Sequence, residues 1–238
     1  MNYYRLSILL AFVLSVFSCE KDDFAPESAP PLPKSAGIDT LHYLALGDSY
    51  TIGEGVSYSG NFPSQLTEQV NDLHGDSLYL LPPTIIAQTG WTAAELGQRL
   101  EQENLRPSYD VITLLIGVNN QYQRQAFSSF EEDYMALLEF ALSKTEGDSS
   151  RLVLMSIPDY AYTPFGQDNG DPTRTSTELD KYNAYIEQQA ATLGIPFVNI
   201  TDISREALEK PSLLAPDELH PSEQMYARWV ERLLDYVL

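Results

Sequence analysis

The feature that most restricts the fold of this chain is the alternation of short apolar runs with longer amphipathic segments. Five candidate strands, rich in aliphatic residues, span 42–46, 77–87, 110–116, 151–157 and 195–200, and the second is interrupted by Pro82 and Pro83. Apolar residues at three- and four-residue intervals predict helices over 61–73, 91–103, 127–143, 176–193 and 221–238. Strands that alternate with helices form a parallel sheet covered on both faces. The sequence therefore predicts an α/β fold with about five parallel strands, whose order the pattern does not reveal.

Length and charge narrow the class of protein further. A chain of 238 residues, 43% of them hydrophobic, can bury the core of one domain. Fourteen basic residues against thirty-four acidic ones give a formal net charge of −20, which repels phosphate backbones and anionic lipid headgroups. We therefore expect no nucleic-acid partner, and we expect a protein whose charge keeps it monomeric.

The N-terminal segment differs in composition from the rest of the chain. Residues 1–18 carry one charge, Arg5, and an apolar run that ends beside a small residue, which is typical of a secretory signal peptide. Val16-Phe17-Ser18-Cys19 resembles the lipobox of bacterial lipoproteins. That resemblance implies that Cys19, the one cysteine of the chain, becomes the lipidated N-terminus. An ordinary signal peptide with an incidental cysteine is the alternative.

Residues 19–40 are predicted to be a lipidated N-terminus followed by a linker. Glu20-Lys21-Asp22-Asp23 resembles the acidic tag that carries some Gram-negative lipoproteins to the outer face of the outer membrane. The prolines that follow favour an extended spacer, and the folded domain is predicted to span 41–238. We expect an exported outer-membrane lipoprotein, exposed on the cell surface if the tag acts, that touches the membrane through its lipid anchor only.

Candidate catalytic residues follow the predicted strands at their carboxyl ends. Gly47-Asp48-Ser49 comes after the first strand, Gly90 after the second and Asn119 after the third, while Asp217 and His220 precede the last helix. Parallel strands bring their carboxyl ends to one edge of a sheet, where ligands bind in α/β folds. We therefore expect these residues to meet.

The residue types at these positions suit acyl transfer. A serine hydroxyl becomes a nucleophile when a base takes its proton, a role for which His220 suits Ser49. A carboxylate three residues earlier, Asp217, can orient the imidazole. The tetrahedral intermediate also needs hydrogen-bond donors, and the backbone N–H groups of Ser49 and Gly90 and the amide of Asn119 are candidates for this oxyanion hole.

Each of these positions, taken alone, also has a structural explanation. Asp48 and Ser49 fit a strand-to-loop turn that satisfies backbone groups, and Gly90 and Asn119 fit ordinary turns. Asp217 and His220 fit a helix N-cap followed by a surface histidine. Their arrival in order, each beside its own strand or helix, favours the catalytic interpretation.

Taken together, Gly47-Asp48-Ser49, Gly90, Gly117-x-Asn119 and Asp217-x-x-His220 resemble the four sequence blocks of the GDSL, or SGNH, esterase and lipase family. The resemblance covers 41–238. It implies a flavodoxin-like three-layer α/β/α fold, a Ser49, Asp217 and His220 triad, and an oxyanion hole of Ser49, Gly90 and Asn119. The implied reaction is hydrolysis of carboxylic esters through an acyl-enzyme.

Two positions depart from related patterns. Asn120 stands where the family usually has aspartate, which should change local hydrogen bonding rather than chemistry. Thr51 stands where the nucleophile elbow of α/β-hydrolases has its second glycine, so that class is disfavoured. The aromatic loop over 157–165 either lines the substrate pocket or packs on the domain.

The substrate class stays open at this stage. Because the family also includes carbohydrate deacetylases, thioesterases and phospholipases, the substrate is a small-molecule or a polysaccharide ester. The alternatives to a serine esterase are a carbohydrate O-deacetylase and a surface lipoprotein that binds glycans without catalysis. We expect no cofactor and no metal, since the sequence has no HExxH motif, cysteine pair, P-loop or GxGxxG.

Overall fold

The structure is a computed structural model that describes residues 38–237. The strands are β1 (Asp39–Leu41), β2 (Tyr43–Gly47), β3 (Leu78–Leu80), β4 (Thr84–Ala87), β5 (Val111–Leu115), β6 (Leu152–Met155) and β7 (Phe197–Val198). The α-helices are α1 (Ser49–Ile52), α2 (Phe62–His74), α3 (Ala93–Leu100), α4 (Val118–Tyr122), α5 (Phe127–Ser143), α6 (Pro164–Asp168), α7 (Pro172–Leu193), α8 (Thr201–Ser204) and α9 (Glu223–Val237). The predicted signal peptide, Cys19 and nearly all of the predicted linker lie outside the described residues.

The main sheet has five parallel strands in the order β4-β2-β5-β6-β7. The predicted α/β fold with five parallel strands is therefore confirmed. This order is the flavodoxin-like doubly wound one, in which the first strand lies inside the sheet between the second and the third. The chain changes direction across the sheet between β2 and β5, and such a switch point opens a crevice at the carboxyl ends of the strands.

Burial explains why the strands are continuous apolar runs. Every residue of β2, β5 and β6 is buried, because both faces of a parallel sheet are covered. Helix α2 packs against α9, and helix α3 packs against α5. Aromatic rings fill the space between helices: Phe62 of α2 meets Trp229 of α9, and Phe130 of α5 meets Tyr182 of α7.

The predicted strand over 77–87 is divided in the structure at the two prolines that interrupt it in the sequence. It is two strands in two sheets, because Pro82 and Pro83 lack the N–H groups that a continuous ladder needs. Strand β3 pairs in parallel with β1, which the sequence did not predict, and β4 joins the main sheet. Strand β1 begins at Asp39, two residues before the predicted start of the domain at Leu41.

The long helices match their predictions within three residues, except for the start of α7. The sequence pattern predicts a start at Ser176, but the helix begins at Pro172. Asp171 caps it by accepting a hydrogen bond from the Arg174 N–H, and proline suits the first helical position. Among residues 38–237, no helix has both the length and the apolar composition required to cross a bilayer.

Candidate active site

A cavity of about 260 Å³ lies where the loops after β2, β4, β5 and β6 meet the segment before α9. It is lined by Ser49, Tyr50, Thr89, Gly90, Val118, Asn119, Tyr122, Tyr160, Phe165, Leu219 and His220. Four of the five predicted site residues are thus brought together in one cavity. The fifth, Asp217, contacts His220 from behind.

Ser49 lies in the tight turn that follows β2. It is the first residue of α1, so its backbone N–H has no acceptor inside that helix. The Asp48 side chain caps the helix by accepting a hydrogen bond from the Tyr50 N–H at 3.1 Å. Gly47 permits the turn, because a Cβ there would overlap the Leu115 carbonyl oxygen and the Thr51 hydroxyl. The local backbone thus presents both the hydroxyl and the N–H of Ser49 at the cavity.

Asp217 fixes the position of His220. One carboxylate oxygen accepts the backbone N–H groups of Leu219 at 3.0 Å and of His220 at 2.9 Å. The other oxygen lies 2.6 Å from His220 Nδ1. Between them, Glu218 adopts a left-handed conformation with φ of 60°, which tightens the turn. With the Nδ1–H donated to the carboxylate, the Nε2 atom is left as a proton acceptor.

The charge of Asp217 is favoured by these contacts. Partial burial by itself raises the pKa of this carboxyl. The hydrogen bonds from the His220 ring and from the two backbone N–H groups outweigh burial, so the pKa lies below its ordinary value. Asp217 is therefore an anion at neutral pH and can stabilise an imidazolium on His220.

The predicted oxyanion donors line the same cavity. Gly90 has a φ of 88°, and apart from its own atoms and its two chain neighbours no atom lies within 4 Å of the place where its Cβ would be, so it faces open space. The Asn119 amide donates one hydrogen bond to the Trp91 carbonyl oxygen at 2.9 Å. Since a primary amide has two N–H donors, this bond fixes the group and leaves the second N–H for a ligand.

Asn120 has a structural role beside this site. It is fully buried; its Oδ1 accepts the Ala93 N–H at 3.0 Å, and its amide donates to Gln125 Oε1 at 2.9 Å. The residue thus ties α4 to the start of α3. An aspartate could make the first of these bonds but, when ionised, could not donate the second.

Aromatic side chains form one wall of the cavity. The Tyr122 ring lies 6.0 Å from that of Tyr160 and 6.3 Å from that of Phe165, measured between centroids. The loop over 157–165 therefore does both things that the sequence left open: Tyr160 and Phe165 line the cavity while Ile157 packs in the core. Sequence reasoning missed Tyr122 because it did not predict the short helix α4, which places Tyr122 on the same face as Asn119.

Tyr50 was missed as well, and it supports the histidine. Its ring is buried and meets the His220 ring edge-on, with centroids 5.6 Å apart. The same ring also contacts Trp229 of α9. The residue directly after Ser49 therefore packs the imidazole against the protein interior. The sequence could have predicted this contact, because a large aromatic side chain next to the candidate nucleophile must be buried close to it.

Two buried carboxylates stand beside the cavity without lining it. Asp48 precedes Ser49, and burial raises its pKa to about 7. Asp159 precedes Tyr160 and is also fully buried, but it accepts hydrogen bonds from Arg205 Nε at 3.0 Å and from the Ser176 hydroxyl at 2.5 Å. Among residues 38–237, no cluster of three His, Cys, Asp or Glu side chains is arranged to hold a metal ion.

Comparison with known proteins adds to this geometry. A sequence model of the GDSL-like Lipase/Acylhydrolase family matches residues 45–228. No curated protein matches the chain. An acetylxylan esterase from Geobacillus stearothermophilus has a similar structure, with a TM-score of 0.63 and 18% identity over 83% of this chain and 94% of its own.

Two further solved structures share the fold. A lipolytic protein of the G-D-S-L family from Veillonella parvula has a TM-score of 0.63 at 15% identity, covering 84% of this chain and 97% of that one. The psychrotrophic esterase EstA from Pseudoalteromonas has a TM-score of 0.57 at 18% identity, covering 84% of this chain and 96% of that one. At these identities the structural likeness concerns the fold alone.

Proposed function

The chain belongs to the GDSL-like lipase/acylhydrolase family, and from that premise we propose that it is a serine esterase which cleaves carboxylic esters through an acyl-enzyme. The observation that carries the proposal is the placement of Ser49 and His220 on one cavity, with the His220 Nδ1 atom bound to Asp217. These are the three groups that activate a serine hydroxyl.

In the first half of the reaction, His220 Nε2 takes the proton from Ser49 Oγ while Oγ bonds to the ester carbonyl carbon. The carbonyl oxygen becomes an anion, which the N–H groups of Ser49, Gly90 and Asn119 stabilise; each such donor contributes about 2.7–4 kcal/mol to transition-state stabilisation. The bond to the alcohol then breaks, and the imidazolium gives its proton to the departing oxygen.

In the second half, water replaces the alcohol. His220 takes a proton from water, the hydroxide oxygen bonds to the acyl carbon, and the bond to Ser49 Oγ breaks as Oγ regains a proton. Asp217 stabilises the imidazolium in both halves and keeps its own charge throughout. The products are a carboxylic acid and an alcohol.

The cavity favours a short acyl group. Its volume of about 260 Å³ lies below the roughly 300–1,000 Å³ of pockets that enclose drug-sized ligands. Tyr122 is about half exposed and lines the cavity, with the rings of Tyr160 and Phe165 beside its own. Such an aromatic wall suits the apolar face of a sugar ring, and this favours carbohydrate O-deacetylation as the second candidate.

The Ser49→Ala variant tests the reaction type. Hydrolysis of p-nitrophenyl acetate should fall by about 10⁴-fold or more, because the residual rate comes from binding and the oxyanion hole alone. A fluorophosphonate probe should label the wild-type protein at Ser49 and leave the variant unlabelled. Ser129→Ala, an exposed serine on α5, is the matched control and should retain full activity. Turnover that survives in Ser49→Ala would overturn the proposal.

The Asp217→Asn variant tests the orienting role. An amide can still accept the backbone N–H groups, but it cannot hold Nδ1–H as a carboxylate does, so kcat should fall by about 10⁴-fold with little change in KM. The control is Glu218→Gln, the adjacent residue, whose side chain is absent from the cavity lining. An increase in KM with kcat unchanged would contradict this assignment.

A substrate panel separates the remaining alternatives. Acetylated xylan or pectin turned over faster than p-nitrophenyl acetate would select the deacetylase, and a preference for longer acyl esters would contradict the small pocket. Glycan binding without labelling by the probe would select the non-catalytic lipoprotein.

We also propose that the protein is exported and anchored through Cys19, on the strength of the lipobox-like residues that precede this cysteine. Cys19→Ser should abolish incorporation of labelled palmitate and move the protein from the membrane fraction to the soluble one. Membrane association that persists in that variant would contradict a lipid anchor.

A further inference from the structure

The buried residues that line the candidate active-site cavity fall into two groups. Ser49, Tyr50 and His220 form the first group, on the side of the candidate nucleophile and base. Val118 of α4 and Tyr160 of the loop after β6 form the second, and they are 6% and 9% exposed. We call these two residues the inner wall. The inner wall contributes apolar surface that none of the steps described above uses.

The proposed reaction fixes where two parts of an ester must lie. The carbonyl oxygen has to lie beside the N–H groups of Gly90 and Asn119, which stabilise its charge. The alcohol oxygen has to lie beside His220, which gives it a proton. Phe165 lies next to the turn that carries His220, because its N–H donates to the Glu218 carbonyl oxygen at 3.3 Å. The acyl substituent therefore points away from both of these sides of the cavity.

The inner wall and the Tyr122 ring are the parts of the lining that remain for the acyl substituent. An apolar group is stabilised most where it is removed from water completely. The inner wall is buried, whereas Tyr122 is 52% exposed. The geometry therefore directs the acyl chain towards Val118 and Tyr160.

Tyr160 is held at both its side chain and its backbone. Its hydroxyl donates a buried hydrogen bond of 2.8 Å to Gln121 Oε1. Its carbonyl oxygen accepts the Thr163 N–H at 3.1 Å and the Thr163 hydroxyl at 2.8 Å. The ring therefore cannot move aside for a longer acyl chain unless the bond to Gln121 breaks.

Gln121 is itself oriented by a charged pair outside the cavity lining. Its amide donates to Glu178 Oε2 at 2.8 Å, and Glu178 Oε1 accepts from Arg174 Nε at 2.6 Å. Partial burial raises the Glu178 pKa, but the bonds from Gln121 and Arg174 lower it below its ordinary value overall. Glu178 is therefore an anion at neutral pH and accepts the N–H of the amide. The Gln121 oxygen is left to face the Tyr160 hydroxyl.

We propose that Tyr160 limits the acyl group of the substrate to the size of acetyl, and that Gln121 is the positioning residue which holds the tyrosine in place. The inference deepens the proposed function and rests on it for the reaction, whereas the position of an acyl chain against Tyr160 does not depend on turnover. Each added methylene would have to displace a ring that is fixed by hydrogen bonds. In a closed apolar pocket, one methylene changes specificity by about 10–200-fold.

The ratio of kcat/KM for p-nitrophenyl hexanoate to that for p-nitrophenyl acetate measures this limit. The ratio should be below one in the wild type and should rise by about tenfold or more in Tyr160→Ala. Tyr160→Phe keeps the ring but loses the bond to Gln121, so the ratio should rise by about fivefold, the factor that one net hydrogen bond contributes. Tyr162→Ala is the matched control, since Tyr162 lies in the same loop outside the cavity lining, and it should keep the wild-type ratio.

Three results would overturn the inference. The first is a wild-type preference for hexanoate over acetate. The second is an unchanged ratio in Tyr160→Ala with its fold intact by circular dichroism. The third is an equal rise in Tyr122→Ala, because the acyl chain would then lie along the exposed ring instead of the inner wall.

Binding in the Ser49→Ala background separates this inference from the esterase proposal. Without the candidate nucleophile, methyl acetate and methyl hexanoate should stay intact, and NMR titration of the ¹⁵N-labelled protein measures their binding. Methyl hexanoate should bind about tenfold more tightly, or better, to Ser49→Ala/Tyr160→Ala than to Ser49→Ala, while the affinity for methyl acetate stays the same. This change in binding without ester turnover in the wild type would refute the esterase alone. Turnover without this change would refute the role of Tyr160 alone.

Discussion

Asp48 and Asp159 each cap the helical turn in a loop that follows a strand of the sheet, but their surroundings differ. Each follows a buried strand, is itself buried, and caps the helical turn after it by accepting the N–H two residues on, at 3.1 Å. Asp159 has the Arg205 guanidinium and the Ser176 hydroxyl as partners. Asp48 has neither, and within residues 38–237 its Oδ2 atom makes no hydrogen bond.

The difference shows how burial and charge are balanced on the two sides of the candidate active-site cavity. A buried carboxylate without a cation binds a proton more strongly, which is why the Asp48 pKa rises to about 7. A buried carboxylate that is paired with a cation keeps its charge, but the stability of the fold then depends on that cation. The turn that presents Ser49 thus responds to pH, whereas the turn that presents Tyr160 depends on an ion pair.

The largest expected effect comes from breaking the ion pair. Arg205→Met leaves Asp159 buried and unpaired, so the free energy of unfolding at pH 8 should fall by about 3–5 kcal/mol. Urea denaturation measures it. Arg232→Met, which breaks the more exposed pair with Asp202, is the control and should cost about 1 kcal/mol or less. Equal losses of unfolding free energy in Arg205→Met and Arg232→Met would contradict the larger contribution expected of the ion pair with the buried Asp159.

The second effect concerns the carboxylate without a cation. The Asp48 pKa of about 7 in the native state lies above the 3.8 of an unfolded aspartate, so the native state loses stability as pH rises between these values, by about 4 kcal/mol in all. Asp48→Asn keeps the cap and removes the titration. The free energy of unfolding of the variant, relative to that of the wild type, should therefore increase from pH 4 to pH 8, as measured by urea unfolding at each pH. A constant difference across that range would show that Asp48 titrates normally.

The smallest effect tests the neutral partner of Asp159. Ser176→Ala removes the hydrogen bond of 2.5 Å to Oδ2 but leaves Arg205 in place, so the unfolding free energy should fall by about 1.5 kcal/mol. Ser129→Ala, which removes an exposed hydroxyl from α5, should have no measurable effect. A loss as large as that of Arg205→Met would mean that the hydroxyl, and not the cation, dominates the site.

The sequence predicted the layered fold and the meeting of Ser49, Gly90, Asn119 and His220, because both follow from strand periodicity and from the rule that parallel strands end at one edge. It did not predict the partner of Asp159, since Arg205 lies far along the chain and no local spacing links the two. The interruption of 77–87 was predicted from its two consecutive prolines, but the assignment of its halves to two sheets was not. Short helices such as α4 were missed because five residues give too little periodicity.

Helix α9 follows the turn that carries His220, and it reaches the rest of the domain through Trp229 and Tyr226 against Phe62. In the proposed esterase, Ser49 lies near the start of the domain and His220 just before α9, and the Trp229 ring of α9 contacts the Tyr50 ring that packs against His220. On the proposed function, ester turnover would report the docking of α9, and a refolding experiment followed by activity would time this long-range contact.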